Sequence, residues 1–262
     1  MSDSAPASIK ERVREQFAAS PTDYVRSQTH ASGPDLVRMV ELAHPTENDV
    51  LLDVATGGGH VARVFGPLVG RVVVADFTLP MLRAAMAFLT SSVLDAVSGV
   101  AADAESLPFA TGSFDLVTCR IAPHHFPRPD RFVAEVARAL KPGGRFALID
   151  STVPDGVLGV FFNRFEKVRD PSHVRSLTIA EWTDLIRSSG LSLQPTESFR
   201  KRHDFDDWTA RSRTTPEAKA ELTEMMRSIG PDAEEQFEAR WQDNRLVSFS
   251  DVKTLFLGTR AR

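Results

Sequence analysis

Val50-Leu51-Leu52-Asp53-Val54-Ala55-Thr56-Gly57-Gly58-Gly59-His60 decides the fold of this chain. An apolar run carrying one acid leads into three consecutive glycines, and Val61-Ala62-Arg63-Val64-Phe65 then restores a helical pattern. The segment reads as buried strand, tight turn and helix, the arrangement in which a doubly wound α/β sheet holds a nucleotide. The glycines let the backbone turn sharply and approach a ligand where a Cβ would collide. The helix behind them points unpaired N–H groups at whatever is bound.

Gly57-x-Gly59-x-x-Ala62, with an acid further on at Asp76, also fits the dinucleotide pattern, so a nicotinamide or flavin cofactor is one reading. Asp53 argues for another. A carboxylate at the strand end, beneath the loop, repels a pyrophosphate but suits a ligand bearing an ammonium and a sulfonium, which favours S-adenosylmethionine over NAD. Arg71-Val72-Val73-Val74-Ala75-Asp76 is a second buried strand ending in an acid placed to accept hydrogen bonds from both ribose hydroxyls. Val100-Ala101-Ala102-Asp103 ends a third, where a carboxylate can accept from an adenine amino group. Any one strand-end acid also serves as an N-cap or loop residue. Three at successive strand ends point to a single ligand.

Together with Asp103-Ala104-Glu105-Ser106-Leu107-Pro108-Phe109, Ser113-Phe114-Asp115-Leu116-Val117 and Ala139-Leu140-Lys141-Pro142-Gly143-Gly144, these segments resemble the class I S-adenosylmethionine-dependent methyltransferases. The likeness is to the broad branch that includes the ubiquinone and menaquinone C-methyltransferases, and it spans roughly residues 48 to 151. The family's first glycine is replaced by Ala55. The resemblance implies a Rossmann-like, doubly wound α/β sheet of seven strands with the last antiparallel. It implies S-adenosylmethionine as cofactor, released as S-adenosylhomocysteine. Asp53, Ala55, Thr56, Gly57, Gly58 and Gly59 would then surround the methionyl part, with Asp76 on the ribose and Asp103 on the adenine amino group. Phe77, Ala104 and Ile121 would contact the base or its surroundings, and Met81 would complete the site. The acceptor is not implied.

Composition agrees. A chain of 262 residues can bury a full α/β core and carry a cap. The net charge of −4, with Lys and Arg scattered, argues against a nucleic-acid substrate. Arg200-Lys201-Arg202-His203, the one tight basic run, reads as the solvated end of a strand. No stretch approaches the ~18 apolar residues of a membrane helix, and the expectation is a soluble, cytoplasmic protein with its oligomeric state open. The single cysteine, Cys119, excludes an internal disulfide and a cysteine metal cluster, reads as strand packing, and argues against arsenic methylation. The remaining histidines are too scattered for a metal site, and no G-x-S-x-G elbow occurs.

Ile9, Val13 and Phe17 repeat at helical spacing, and a second helix runs through Leu36–Leu42, so residues 1–43 read as a helical lid on a cofactor domain of residues 44–262. Helical cap insertions are expected near 153–175 and 204–243. A core helix over about Ile179–Ser189 has Thr178 as N-cap and Gly190 as C-cap, and Leu191-Ser192-Leu193 opens a sixth strand. Val247–Leu257 returns as the last strand. Phe161, Phe162 and Phe165 read as core packing or as the lining of a pocket for an apolar or aromatic small-molecule acceptor.

Methyl transfer from a sulfonium is an in-line displacement, served by proximity and exclusion of water, and a base is needed only if the acceptor must lose a proton. His124 and His125, after the fourth strand, are the candidate bases, with one of them alternatively structural. Tyr24, the only tyrosine, is a third candidate on the lid, where in similar enzymes an aromatic hydroxyl approaches the methionyl end or the acceptor; packing is its other reading. An NAD-dependent oxidoreductase, a non-catalytic S-adenosylmethionine sensor and a non-methylating S-adenosylmethionine enzyme remain the alternatives.

Overall fold

The computed structural model describes residues 6–18, 25, 32–91 and 96–262. Helices α1 (Pro6–Ala18) and α2 (Pro34–Ala43) precede the sheet. The core then alternates β1 (Val50–Val54), α3 (His60–Phe65), β2 (Arg71–Asp76), α4 (Leu79–Ser91), β3 (Val97–Ala101), β4 (Phe114–Arg120), α5 (Pro129–Ala139) and β5 (Leu140–Thr152). After β5 come α6 (Val157–Arg169), α7 (Ile179–Ser188), β6 (Leu191–Leu193), β7 (Glu197–Asp204), α8 (Phe205–Arg211), α9 (Pro216–Ser228), α10 (Pro231–Gln236), β8 (Arg240–Gln242) and β9 (Arg245–Arg260).

The main path of the sheet is β3-β2-β1-β4-β5-β9-β6. β1 to β5 are joined by parallel ladders, and β9 is antiparallel to both β5 and β6. Strand alternation sends Leu52 and Val54 into one apolar layer and Leu51, Val72, Val74 and Leu116 into the other. Burial on both faces is what a helix-covered parallel sheet requires. The strand order reverses at β1, whose neighbours are β2 and β4, and a crevice opens beyond the carboxyl ends of the strands at that point.

That path holds the seven strands expected, the last in sequence antiparallel, and among the described residues β7 and β8 are added to it because β9 is longer than its sequence signal. Its 16 residues run past the end of β5. The extension pairs with β7 on the edge that β6 also uses and with β8 on the other. The run Arg200–His203 lies inside β7 and is divided by the pleat: Arg200 and Arg202 face solvent, whereas His203 is buried and its Nε2 lies 3.1 Å from Asp251.

Helices α6, α8, α9 and α10 and the extension of β9 enclose a third apolar layer. Phe165 stacks on Trp208 at 5.2 Å and Phe162 on Phe237 at 5.2 Å, while Trp208 meets Phe249 edge-on at 4.7 Å. Phe162 and Phe165 are fully buried here, so the aromatic cluster packs the core of the cap, and none of its rings borders the two cavities described below. Pro216 and Pro231, which interrupt the helical pattern in sequence, each open a new helix at its first turn, where a missing N–H costs nothing.

The docking of α7 begins with a capping box. Thr178 Oγ1 accepts from Glu181 N–H at 3.1 Å, and the Glu181 carboxylate accepts from Thr178 N–H at 2.9 Å. Thr178→Ala removes one half of this exchange and is expected to lower stability by about 1 kcal/mol, read as a shift in the urea midpoint at unchanged m-value; an unchanged midpoint would show that packing alone fixes the helix start.

Candidate functional site

The chain leaves β1 through Ala55 (φ 53°), Gly57 (φ 53°) and Gly59 (φ 82°). Glycine adopts such left-handed angles freely, whereas Ala55 does so at a cost of about 1 kcal/mol. A Cβ on Gly59 would lie 3.2 Å from Leu89 Cγ, so the third glycine also lets α4 close against the loop. Thr56 N–H donates to Ala75 O at 3.0 Å, which ties the turn to β2.

Two buried carboxylates hold this turn. Asp53 accepts from the hydroxyls of Thr56 at 2.6 Å and Thr118 at 2.8 Å, linking the loop to β4. Asp76 accepts from Gly57 N–H at 3.0 Å and Thr78 N–H at 2.8 Å, linking the loop to the end of β2. Burial pushes both carboxyls up to about 6, against the pull of their hydrogen bonds.

A cavity of about 120 Å³ opens above the turn. Ala55, Thr56, Gly57, Gly58, Asp76, Phe77, Met81 and Ile121 all border it. A smaller adjoining cavity of about 40 Å³ is bordered by Asp103 and Ala104, with Ala55 and Phe77 shared between the two. Asp53 and Gly59 border neither, and lie beneath and behind the loop.

Helix α1 closes the mouth. Lys10 Nζ lies 2.6 Å from Asp103 Oδ2 and 2.6 Å from Glu105 Oε2, the Arg14 guanidinium sits 4.2 Å over the Phe77 ring, and Phe17 meets His125 edge-on at 5.0 Å. Partial burial disfavours the Lys10 ammonium, but the two carboxylates outweigh it and raise its pKa. Lys10, Glu105, Arg120 and Phe126 were not singled out by sequence reasoning. Glu105 and Arg120 adjoin recognised motifs, but nothing local says that Lys10 meets acids 93 and 95 residues away.

The two histidines after β4 diverge. Ile121 stands at φ 54°, costly for a β-branched side chain, while its N–H donates to Ile149 O at 2.7 Å. A 3-10 turn over Pro123–His125 follows. It turns His124 into the interior, its Nδ1 2.6 Å from Asp150 Oδ1 and its ring away from both cavities. Burial holds His124 well below the usual histidine range and pushes Asp150 up to about 7, so the imidazole is neutral. His125 borders both cavities, with Nδ1 3.2 Å from Ser172. Tyr24 lies outside the described residues. Among the described residues no group of side chains could hold a metal, and no helix is long and apolar enough to cross a membrane.

A family model for a methyltransferase domain matches residues 52–148. The uncharacterized methyltransferase YcgJ of Bacillus subtilis is 33% identical over 84% of this chain and 88% of its own. Its crystal structure superposes with a TM-score of 0.84 over 87% of this chain and 98% of that one. A protein of Bacillus halodurans C-125 does so with a TM-score of 0.86 at 38% identity, over 88% of this chain and all of that one. The ubiquinone/menaquinone biosynthesis C-methyltransferase UbiE of Pseudomonas aeruginosa is 36% identical over 45% of this chain and 48% of its own. The family model runs through the glycine turn and its flanking strands. The chain belongs to the class I S-adenosylmethionine-dependent methyltransferases, and S-adenosylmethionine is its cofactor.

Proposed function

We propose that this enzyme methylates a small-molecule acceptor whose nucleophilic atom carries a proton, such as a hydroxyl or a heterocyclic N–H, with His125 as the base. The observation that carries this reading is the position of His125, the one imidazole of the pair that borders both cavities. The acceptor would enter between α1 and the cap, where Phe17, Ile121 and Phe126 offer apolar walls and exclude water. Bound S-adenosylmethionine supplies the electrophilic methyl group. Thr56, Gly57 and Gly58 would flank its methionyl part, Asp76 would accept from the ribose hydroxyls and Asp103 from the adenine amino group. The chain's own contribution is then to align the nucleophile and to remove its proton. A screen of phenols, enols and N–H heterocycles tests the reading: turnover that His125→Gln lowers at least a hundredfold supports it, and undiminished turnover refutes it.

Asp76 gives the cofactor site a pH dependence. With its carboxyl at about 6, the group is ionised at pH 7 and accepts through both oxygens; below pH 6 it protonates, and one oxygen becomes a donor that no longer suits two ribose hydroxyls and the backbone N–H groups. Affinity for S-adenosylhomocysteine in calorimetric titration is expected to fall roughly tenfold between pH 7 and pH 5. Asp76→Asn should bind weakly at both, and NAD should not bind at either.

Cavities of about 120 and 40 Å³ fall short of the roughly 300 Å³ or more of ordinary ligand pockets. In this reading α1 lifts to admit the cofactor, and its Lys10 must release Asp103. Lys10→Ala removes both ion pairs and should speed S-adenosylhomocysteine association about two- to fivefold in stopped-flow, in line with the ~0.5–1 kcal/mol of partly exposed pairs. An unchanged rate would mean that α1 does not gate entry.

A further inference from the structure

Asp170 follows the last residue of α6, and the turn it begins brings Ser172 against the loop after β4. His125 Nδ1 is 3.2 Å from the Ser172 carbonyl oxygen and 3.2 Å from its Oγ. A carbonyl can only accept, so Nδ1 carries the proton. Ser172 Oγ spends its own hydrogen on Asp170 Oδ1 at 2.6 Å, which leaves its lone pairs for Nδ1–H. The same carboxylate oxygen accepts from Ser172 N–H at 2.9 Å. Ser172 and Asp170 are both buried, and the ring nitrogen left with a lone pair is Nε2 of an imidazole that borders both cavities.

We propose that Ser172 and Asp170 are positioning residues for His125: they fix its Nδ1–H tautomer, aim Nε2 at the acceptor, and stabilise the imidazolium formed when Nε2 takes the acceptor's proton. The role rests on the reading of His125 as the base. In the step it serves, the acceptor's lone pair forms the bond to the methyl carbon, the C–S bonding pair stays on sulfur, and the acceptor's proton passes to Nε2, from which water later removes it. Charges of both signs face the ring, Lys10 among them at the smaller cavity. Asp150 and Asp170 act on it within the core, and Glu105 borders the smaller cavity with it. Opposing them is Arg169, while burial keeps the neighbouring His124 and His173 neutral. Burial works to raise the Asp170 carboxyl, yet His125, Arg169 and the Ser172 donors hold it below the usual range.

Long-range proton–nitrogen correlation spectra of the full chain with nitrogen-15-labelled histidine test this without any acceptor. The wild type should show His125 protonated at Nδ1 and pyridine-like at Nε2. Asp170→Asn should admit the Nε2–H form, read as movement of the Nδ1 and Nε2 shifts toward each other. Ser172→Ala should move them in the same sense, and serves if Asp170→Asn fails to fold. An Nε2–H tautomer in the wild type, or folded variants whose ring nitrogens keep the wild-type shifts, would overturn the proposal. Full turnover in His125→Gln with the tautomer and shifts intact would instead refute the base and leave the positioning real.

Discussion

The site depends on one buried carboxylate. Asp53 stands at the end of β1 with no water to solvate it, and two threonine hydroxyls, one from its own turn and one from β4, take the place of that water. Hydrogen bonds to a charged group contribute about 1.5–3 kcal/mol each, and a buried carboxylate left without them is costly. That need fixes the distance between the glycine turn and β4. From β4 the chain passes through the strained Ile121 into the histidine turn, so the spacing between the glycine turn and His125 is inherited from Asp53. Asp53 thus shapes the turn from below without bordering either cavity.

What was legible in sequence is what local pattern encodes. The apolar run 50–54, the glycines and the strand-end acids Asp76 and Asp103 are each a few residues long, and their spacing alone implies the parallel half of the sheet. The extension of β9 was not legible: Arg200–His203 reads as the end of a strand, but its partners on β9 lie tens of residues away, and the three-residue β8, paired with β9 across a short turn, has too few residues for an alternating pattern. The phenylalanines at 161, 162 and 165 could be located but not assigned, since a helical spacing of aromatic rings is the same whether the partners are protein or ligand. Only the arrival of Trp208, Phe237 and Phe249 decides for packing. His124 and His125 look equivalent as neighbours, and a single turn of 3-10 helix separates their fates by giving one to Asp150 and the other to the cavities. Lys10 was silent for the same reason as β7: its partners are remote.

The aromatic layer of the cap is distinct from the two layers that cover the sheet, yet it is threaded by the same strand, since Phe249 lies in one and Phe256 in another along β9. Evolution can therefore alter the two parts at different rates. Substitutions among the cap helices can reshape that layer without touching the residues that border the two cavities, provided the rings that meet β9 keep their volume. The shared strand sets the limit: an insertion within β9 shifts both cores by one pleat, so change in the cap should arise by exchange of side chains and by loop length between its helices, with the strand itself left at constant register.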